Sequence, residues 1–201
     1  MKSLAYRLLL AGALLVTAIT TASAQQTLQC MDATEGSFCP NGGVTGVISG
    51  PMLPPPGNFT IRTQGPSTFI IVGGVRCCGM SLQPAAWTGT GTHPVLGFIT
   101  WSFVPSMAAP ISTITPLQTG SCLPASGDLF FWIEGTIAAL PGRQFRSTNF
   151  IHVRANVLNS CSPFNCESFF LVNGPVSFTD LNGPPGNIAF TLNSLTVVLS
   201  A

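Results

Sequence analysis

The chain has 201 residues, and charged residues make up 6% of them, against roughly 25% in ordinary soluble domains. A formal net charge of +1 excludes a strongly basic surface of the kind that binds nucleic acid or anionic lipid. Hydrophobic residues account for 46% of the chain, which excludes an intrinsically disordered protein.

Residues 1–24 have the pattern of a secretory signal peptide. A cationic start precedes an apolar run over residues 8–19, and small residues end at Ala24, so we predict cleavage before Gln25. A retained membrane anchor is the alternative, but the run is shorter than the roughly 20 residues that span a bilayer. We therefore expect a secreted or periplasmic protein with no transmembrane span after cleavage. It would keep five arginines, no lysine and six acidic residues.

The chain after the signal peptide has a length that suits one domain with a full core. We divide it into an N-terminal Cys- and Pro-rich segment, residues 25–57, packed on a main domain over residues 58–201. A short strand is predicted over residues 44–48. Residues 51–57 are predicted to be a connector, because proline lacks the N–H donor that a central strand needs.

Apolar runs bounded by turn residues predict the strands of the main domain. They cover residues 59–63, 69–75, 96–104, 129–137, 144–159, 169–172, 176–179 and 188–199. Residues 81–94 are predicted to be a long irregular loop or a pair of short strands, and residues 105–126 a second irregular connection. The apolar residues change parity at Asn193 and Ser194, which predicts a β-bulge or a bend between sheets.

No segment of useful length repeats apolar residues at helical spacing, since prolines and glycines interrupt the candidates. The predicted fold is therefore all-β. We expect a two-sheet antiparallel β-sandwich of about eight to ten strands, with a jelly-roll or immunoglobulin-like arrangement.

The clearest strand pattern covers residues 151–157. Isoleucine, valine and alanine alternate there with His152, Arg154 and Asn156, which is the period of a strand with one buried face. The same parity places Arg146 upstream on the polar face, so Arg146, His152 and Arg154 form a candidate ligand-binding cluster. The alternative, which we favour, is a solvated sheet face.

Seven cysteines in an exported chain are predicted to form disulfides. The candidates are Cys30, Cys39, Cys77, Cys78, Cys122, Cys161 and Cys166. We expect two local pairs, Cys30 with Cys39 and Cys161 with Cys166. Cys122 is expected to join Cys77 or Cys78, which leaves an odd thiol. Zinc binding is the alternative, but the chain has no C-x-x-C pair.

Trp87 is the tryptophan predicted to be an exposed ring able to stack on a sugar, because it lies in the Thr- and Gly-rich stretch. Trp101 and Trp132 lie in strongly apolar strands and are predicted to be core residues. Asp32 with Glu35, and separately Asp180, supply oxygen ligands near turns and are weak candidates for a calcium site. For Asp180 an Asx turn is the preferred interpretation, and no cofactor is expected.

The chain carries no catalytic signature: a G-x-S-x-G elbow and an H-E-x-x-H motif are both absent. We therefore name no catalytic residue and favour a non-enzyme. The leading hypothesis is a structural or interaction protein of the cell exterior that associates with itself. A carbohydrate- or small-ligand-binding module is the first alternative, and an extracellular hydrolase is the second. The expected partners are another copy, another extracellular protein or a glycan, and not nucleic acid.

Overall fold

The structure is a computed structural model that describes residues 27–31, 43–75, 78–160 and 167–199; for residues 27–31, 75 and 78 it describes the backbone. All regular elements in these ranges are strands, 14 in number. In chain order they are β1 (Thr27–Met31), β2 (Gly43–Ser49), β3 (Asn58–Thr63), β4 (Pro66–Val75), β5 (Cys78–His93), β6 (Gly97–Phe103), β7 (Ser112–Pro116), β8 (Ala125–Phe131), β9 (Ile133–Ile137), β10 (Phe145–Ser147), β11 (Ile151–Leu158), β12 (Glu167–Leu171), β13 (Val176–Asp180) and β14 (Ile188–Leu199).

The prediction of an all-β chain is confirmed, whereas the predicted strand count of eight to ten was too low. Every strand pair is antiparallel. The observed number of strands exceeds the predicted number partly because some apolar segments predicted to be one strand are two strands in the structure. Residues 129–137, for example, belong to β8 and β9, which separate at Trp132.

The strands hydrogen-bond in the order β1-β4-β5-β6-β9-β10-β13-β14-β12-β11-β8-β7. β7 also pairs with β5, so the strands from β5 round to β7 form a closed circuit. β2 lies beside β14 and β3. The two longest strands, β5 and β14, each pair with several neighbours along their length and thereby join the parts of the sheet.

β5 corrects the prediction for residues 81–94. That stretch was expected to be an irregular loop or two short strands, yet β5 is one strand of 16 residues. Pairing explains the difference: β5 bonds to β4 along residues 78–87, to β7 at 80–82 and to β6 at 88–93. Neighbouring strands thus supply hydrogen-bond partners to the backbone of β5, although its glycines and threonines gave no apolar pattern in the sequence.

The parity change predicted at Asn193 and Ser194 is confirmed as a register shift. β14 pairs with β2 through Leu192 opposite Ile48 and then Ser194 opposite Val47, so Asn193 is skipped. The Asn193 side-chain amide donates to Ser49 Oγ across this bulge. The extra residue keeps apolar side chains facing inward on both sides of it.

β11 follows the predicted alternation through Ala155. Ile151, Val153 and Ala155 are buried, but Val157 is 51% exposed and Leu158 is buried. The register with β8 shifts between Ala155 and Leu158, which reverses the inward parity at the end of the strand. The expectation that Val157 continues the buried face was therefore wrong.

One apolar core fills the interior. It includes fully buried phenylalanines from five strands, β4, β10, β12, β13 and β14. These residues are Phe69, Phe145, Phe169, Phe178 and Phe190. No helix long and apolar enough to cross a membrane occurs in the ranges that the structure describes.

Candidate functional site

The polar face of β8 and β11 carries a charged cluster, made of Asp128, His152 and Arg154. Antiparallel register places Arg154 directly opposite Asp128 and His152 opposite Phe130. Asp128 Oδ1 lies 2.6 Å from His152 Nε2 and 2.7 Å from Arg154 Nε. One carboxylate oxygen therefore binds both basic side chains that the sequence placed on this face.

The His152 ring is also held by an aromatic neighbour. It stacks on Phe130 with ring centroids 4.3 Å apart, and Phe150 packs edge-on against Phe130. The side chain of Asn173 binds the backbone at the start of β11. Its Oδ1 atom accepts from His152 N, and its Nδ2 atom donates to the carbonyl of Phe150, the residue just before the strand. This packing leaves the His152 side chain only 15% exposed.

The cluster combines an ion pair between Arg154 and Asp128 with a hydrogen bond between His152 and Asp128. Nε2 of His152 is engaged by Asp128, and a general base for nucleophilic catalysis would in addition need a hydroxyl or thiol within reach of its other ring nitrogen. Partial burial raises the pKa of the Asp128 carboxyl. The hydrogen bonds and charge of Arg154 and His152 together lower that pKa by more than burial raises it. The net pKa of Asp128 lies below its ordinary value, so the carboxylate stays ionised at neutral pH.

Replacing Asp128 with asparagine is expected to lower the unfolding free energy by about 1 kcal/mol near neutral pH. This is the contribution of a charge-assisted hydrogen bond, made smaller because the groups are partly exposed to water. Because the folded-state pKa is depressed, ionised Asp128 stabilises the fold above the unfolded pKa, about 3.9, and this contribution is lost as pH falls through the folded value. Urea unfolding at pH 5, 4, 3 and 2 should show the difference between the two proteins shrinking. A difference that stays constant down to pH 2 would contradict the ion-pair assignment.

Arg146 does not join this cluster. It lies on β10, opposite Glu134 of β9, and its Nη2 atom is 2.8 Å from Glu134 Oε2. The predicted grouping of Arg146 with His152 and Arg154 was therefore wrong. Shared parity along a sequence does not bring side chains together when a turn places them on different strands.

Trp87 is not an exposed ring. It is 5% exposed and packs against Phe103, with ring centroids 5.4 Å apart. Trp101 is a core residue as predicted, at 4% exposure. Trp132 is half-buried, and its Nε1 donates to the carbonyl of Ala108 at 2.9 Å. The sugar platform predicted at Trp87 is therefore excluded.

The interior around Trp87 has no room for a ligand. Two voids lined by apolar side chains, among them Trp87, each have a volume of ≈ 10 Å³. A single water molecule needs about that much space.

The calcium site considered at Asp180 is occupied by protein groups. Asp180 Oδ2 binds Arg143 Nη1 at 2.6 Å, and Oδ1 accepts from the backbone N–H of Asn182 at 3.0 Å. The second contact is the Asx turn preferred from the sequence. Asp32 and Glu35 lie outside the described residues. Within the described part of the chain, no group of three His, Cys, Asp or Glu side chains could hold a metal ion.

The signal peptide and most of the cysteine sulfurs also fall outside what the structure describes. Residues 1–24, Cys39, Cys77, Cys161 and Cys166 lie outside the described ranges. Cys30 in β1 and Cys78 in β5 are described by their backbone. The predicted disulfide pairings therefore stay predictions.

Asp128 is the member of the charged cluster that the sequence did not associate with His152. The carboxylate lies 24 positions earlier in the chain, on a different strand. The sequence signal that could have suggested Asp128 is the alternation in residues 125–131, which resembles the alternation in residues 151–157. The contact itself follows only from the register in which the two strands pair.

No protein-family model matches the chain, and no curated protein matches it. The chain is similar to the solved structure of DynF from the dynemicin biosynthesis pathway of Micromonospora chersina, with a TM-score of 0.66 over 88% of this chain and 80% of that one. Sequence identity is 14%, so the likeness concerns the fold alone. The chain shares its all-β antiparallel fold with that protein.

Proposed function

We propose that the chain is an exported, disulfide-containing protein that acts by interaction at the cell exterior and associates with other copies of itself. The observation that carries the proposal is the position of β1. This strand stands at one end of the strand order, and among the described strands it pairs with β4. A terminal strand presents backbone donors and acceptors to which another chain can add a strand.

The composition of the surface supports association. After signal-peptide cleavage the chain would contain no lysine, the residue that most often blocks an open strand edge. Ten large apolar side chains of the described residues are exposed. They are Val72, Val95, Phe98, Ile111, Leu117, Val157, Phe170, Val172, Leu181 and Ile188. With few charges to repel them, copies of such a surface have a low barrier to contact.

Two disulfides are proposed from the local geometry. Glu167 Oε1 accepts hydrogen bonds from the N–H groups of Asn159 and Ser160, both at 2.8 Å, which brings the two flanks of residues 161–166 together. This supports a bond between Cys161 and Cys166. For Cys122 we propose Cys77 or Cys78 as the partner.

The position of β5 supports the second pairing. β5 begins at Cys78 and pairs with β7 at Met80 opposite Ile114. Cys122 lies in the connection that follows β7, and a disulfide state at Cys122 is consistent with a partner at the start of β5. We propose Cys30 with Cys39 on sequence spacing alone.

We further propose that the strands form two packed layers, the sandwich expected from the sequence. The support comes from aromatic contacts between strands that are not neighbours in the sheet. Phe103 of β6 contacts Phe69 of β4 at 5.8 Å and Phe131 of β8 at 5.0 Å between ring centroids. Such contacts arise where the inner faces of two layers meet.

The hydrolase alternative has little support among the described residues. Glycoside hydrolysis needs two carboxylates that flank the substrate, whereas each described carboxylate is engaged by a partner group. Asp128, Glu134 and Asp180 bind basic side chains, and Glu167 accepts backbone donors. This disposition favours an interaction role over catalysis.

Sedimentation velocity across a concentration series tests the proposal on the protein that begins at Gln25. We expect the weight-average sedimentation coefficient to rise with concentration. The double variant Thr27→Lys/Gln29→Lys should weaken association by about tenfold or more, because two charges on β1 oppose edge pairing.

The matched control is Thr27→Ser/Gln29→Asn, which changes the same positions without adding charge. Thermal unfolding of both variants separates weakened association from a lost fold. A protein that stays monomeric at every concentration, or a lysine variant that associates like the control, would refute self-association through β1. Non-reduced peptide mapping of the same preparation would refute the disulfide assignment if Cys122 or Cys161 were free.

A further inference from the structure

The geometry points to a glycan-binding groove beside Phe98, on a part of the surface that neither the charged cluster nor β1 uses. The groove is open, with a volume of ≈ 650 Å³. Small-ligand sites commonly have about 300–1,000 Å³. We propose that it binds a neutral oligosaccharide, and this goes beyond the proposed self-association.

Phe98 supplies a flat apolar surface in the groove. It lies on β6 and is 53% exposed, although the residues on either side in the strand are more buried. The Phe98 carbonyl accepts from Ala138 N at 2.8 Å, so the backbone that carries the ring is fixed. An exposed aromatic ring, which has only two side-chain torsions, can pack against the C–H face of a sugar at a small cost in conformational entropy.

Four residues of the groove lining have polar side chains that can hydrogen-bond to sugar hydroxyls. Thr136, Arg143, Gln144 and Asn182 all line the groove. Hydroxyl, amide and guanidinium groups together offer both hydrogen-bond donors and acceptors. This mixture suits a ligand that is polar at its edges and apolar on its faces.

The electrostatics favour a neutral ligand. Arg143 is the charged residue of the groove lining, and its Nη1 atom binds the buried carboxylate of Asp180 at 2.6 Å. The pair is formally neutral, so the groove lacks the excess positive charge that would select a phosphate or a nucleic acid. The guanidinium keeps further N–H groups with which it can donate to a hydroxyl.

The polar wall of the groove is formed by Arg143, Gln144 and Asn182. These residues lie on two loops, residues 142–144 and 181–182, which are joined by two hydrogen bonds. Asn182 Nδ2 donates to the Gly142 carbonyl at 2.9 Å, and Leu181 N donates to the Gln144 carbonyl at 2.7 Å. Gly142 has a φ of 71°, and nothing lies within 4 Å of the position of an added Cβ. The turn therefore has the conformation that glycine permits and leaves open space for a ligand.

An apolar ligand fits this groove less well. Sites for such ligands are mostly apolar and enclose 70–90% of the molecule, whereas here the site is open and one wall is polar. An oligosaccharide tolerates partial exposure because its unburied hydroxyls remain hydrated. Mixed lining, open shape and neutral charge together select the glycan.

The test is an isothermal titration of the protein from Gln25 with three neutral probes, cellohexaose, maltohexaose and fully N-acetylated chitohexaose. We expect at least one probe to bind. Phe98→Ala should weaken that binding by about tenfold or more because the stacking surface is lost. Gln144→Ala should weaken it as well, since it removes one polar partner from an exposed position.

Phe170→Ala is the matched control. Phe170 is 56% exposed on β12 and is not part of the groove lining, so its loss should leave the affinity within about twofold. Thermal unfolding confirms that each variant is folded. Absence of binding for all three probes, or equal binding by Phe98→Ala and Phe170→Ala, would overturn the proposal. Neither result bears on self-association, which is measured without glycan.

Discussion

Replacement of Gly91 by alanine is expected to destabilise the fold by about 3 kcal/mol or more, or to prevent folding. Gly91 lies on β5, where a Cβ atom would overlap the carbonyl oxygen of Arg62 on β3. The two segments are joined next to this point by reciprocal bonds between Gln64 and Thr90, at 2.9 and 2.7 Å. Relief of the overlap would require these backbones to move apart, which is the costly kind of overpacking.

Gly73→Ala is the matched control for this prediction. Gly73 lies in β4, and the atoms nearest to an added Cβ are those of the Ser81 side chain at 3.9 Å. We expect its unfolding free energy to stay within about 1 kcal/mol of the parent. Guanidinium unfolding monitored by tryptophan fluorescence measures both. If the Gly91 and Gly73 variants are equally stable, β3 and β5 do not approach as closely as the structure has them.

Phe190→Ala is expected to lower the unfolding free energy by about 3–5 kcal/mol, the usual cost of truncating a buried phenylalanine. Phe190 on β14 is fully buried. Its ring contacts Phe178 at 4.9 Å and Phe145 at 5.0 Å, and Trp101 at 6.1 Å between centroids. The cavity would be lined by rings from three other strands, β6, β10 and β13, and these rings cannot fill it unless their strands move.

Phe170→Ala serves as the control here too, since the same side chain is lost from an exposed position on β12. Its expected effect is within about 0.5 kcal/mol. Calorimetry and chemical unfolding should agree on the order of the two variants. If the Phe190 variant is as stable as the Phe170 variant, the packing of Phe190 against Phe178, Phe145 and Trp101 does not stabilise the fold as predicted.

Local patterns in the sequence were sufficient for the fold class and for several strands. The alternation in residues 151–155 predicted which side of β11 is buried, and the parity change at Asn193 predicted the bulge in β14. Both succeed because side-chain direction in a strand depends only on position along it. The same principle failed at Val157, where a register shift with β8 changed the inward parity.

The candidate site was predicted only in part. His152 and Arg154 do share the polar face, because they are two residues apart in one strand. Arg146 was assigned to the same cluster, although a turn separates its strand from theirs and Glu134 holds it. Asp128 was not paired with His152, since a contact across strands depends on register, which the alternation of one strand does not contain.

Trp87 and residues 81–94 show the limit most clearly. A stretch of threonines and glycines carries no apolar period, so its local pattern predicted an irregular loop or a pair of short strands, with Trp87 as an exposed ring. In the structure β4, β6 and β7 supply hydrogen-bond partners to this backbone, and Phe103 covers the ring. Strand formation here comes from neighbours rather than from propensity.

The sequence by itself determined that the chain is all-β, which face of β11 is buried as far as Ala155, and where β14 bulges, because these depend on the identity and spacing of adjacent residues. Only the tertiary structure decided that Asp128 joins His152 and Arg154, that Trp87 is buried, and that Phe98 stands in an open groove. These outcomes depend on which strands become neighbours and in which register. Residues far apart in the chain acquire that relation only when the whole sheet forms.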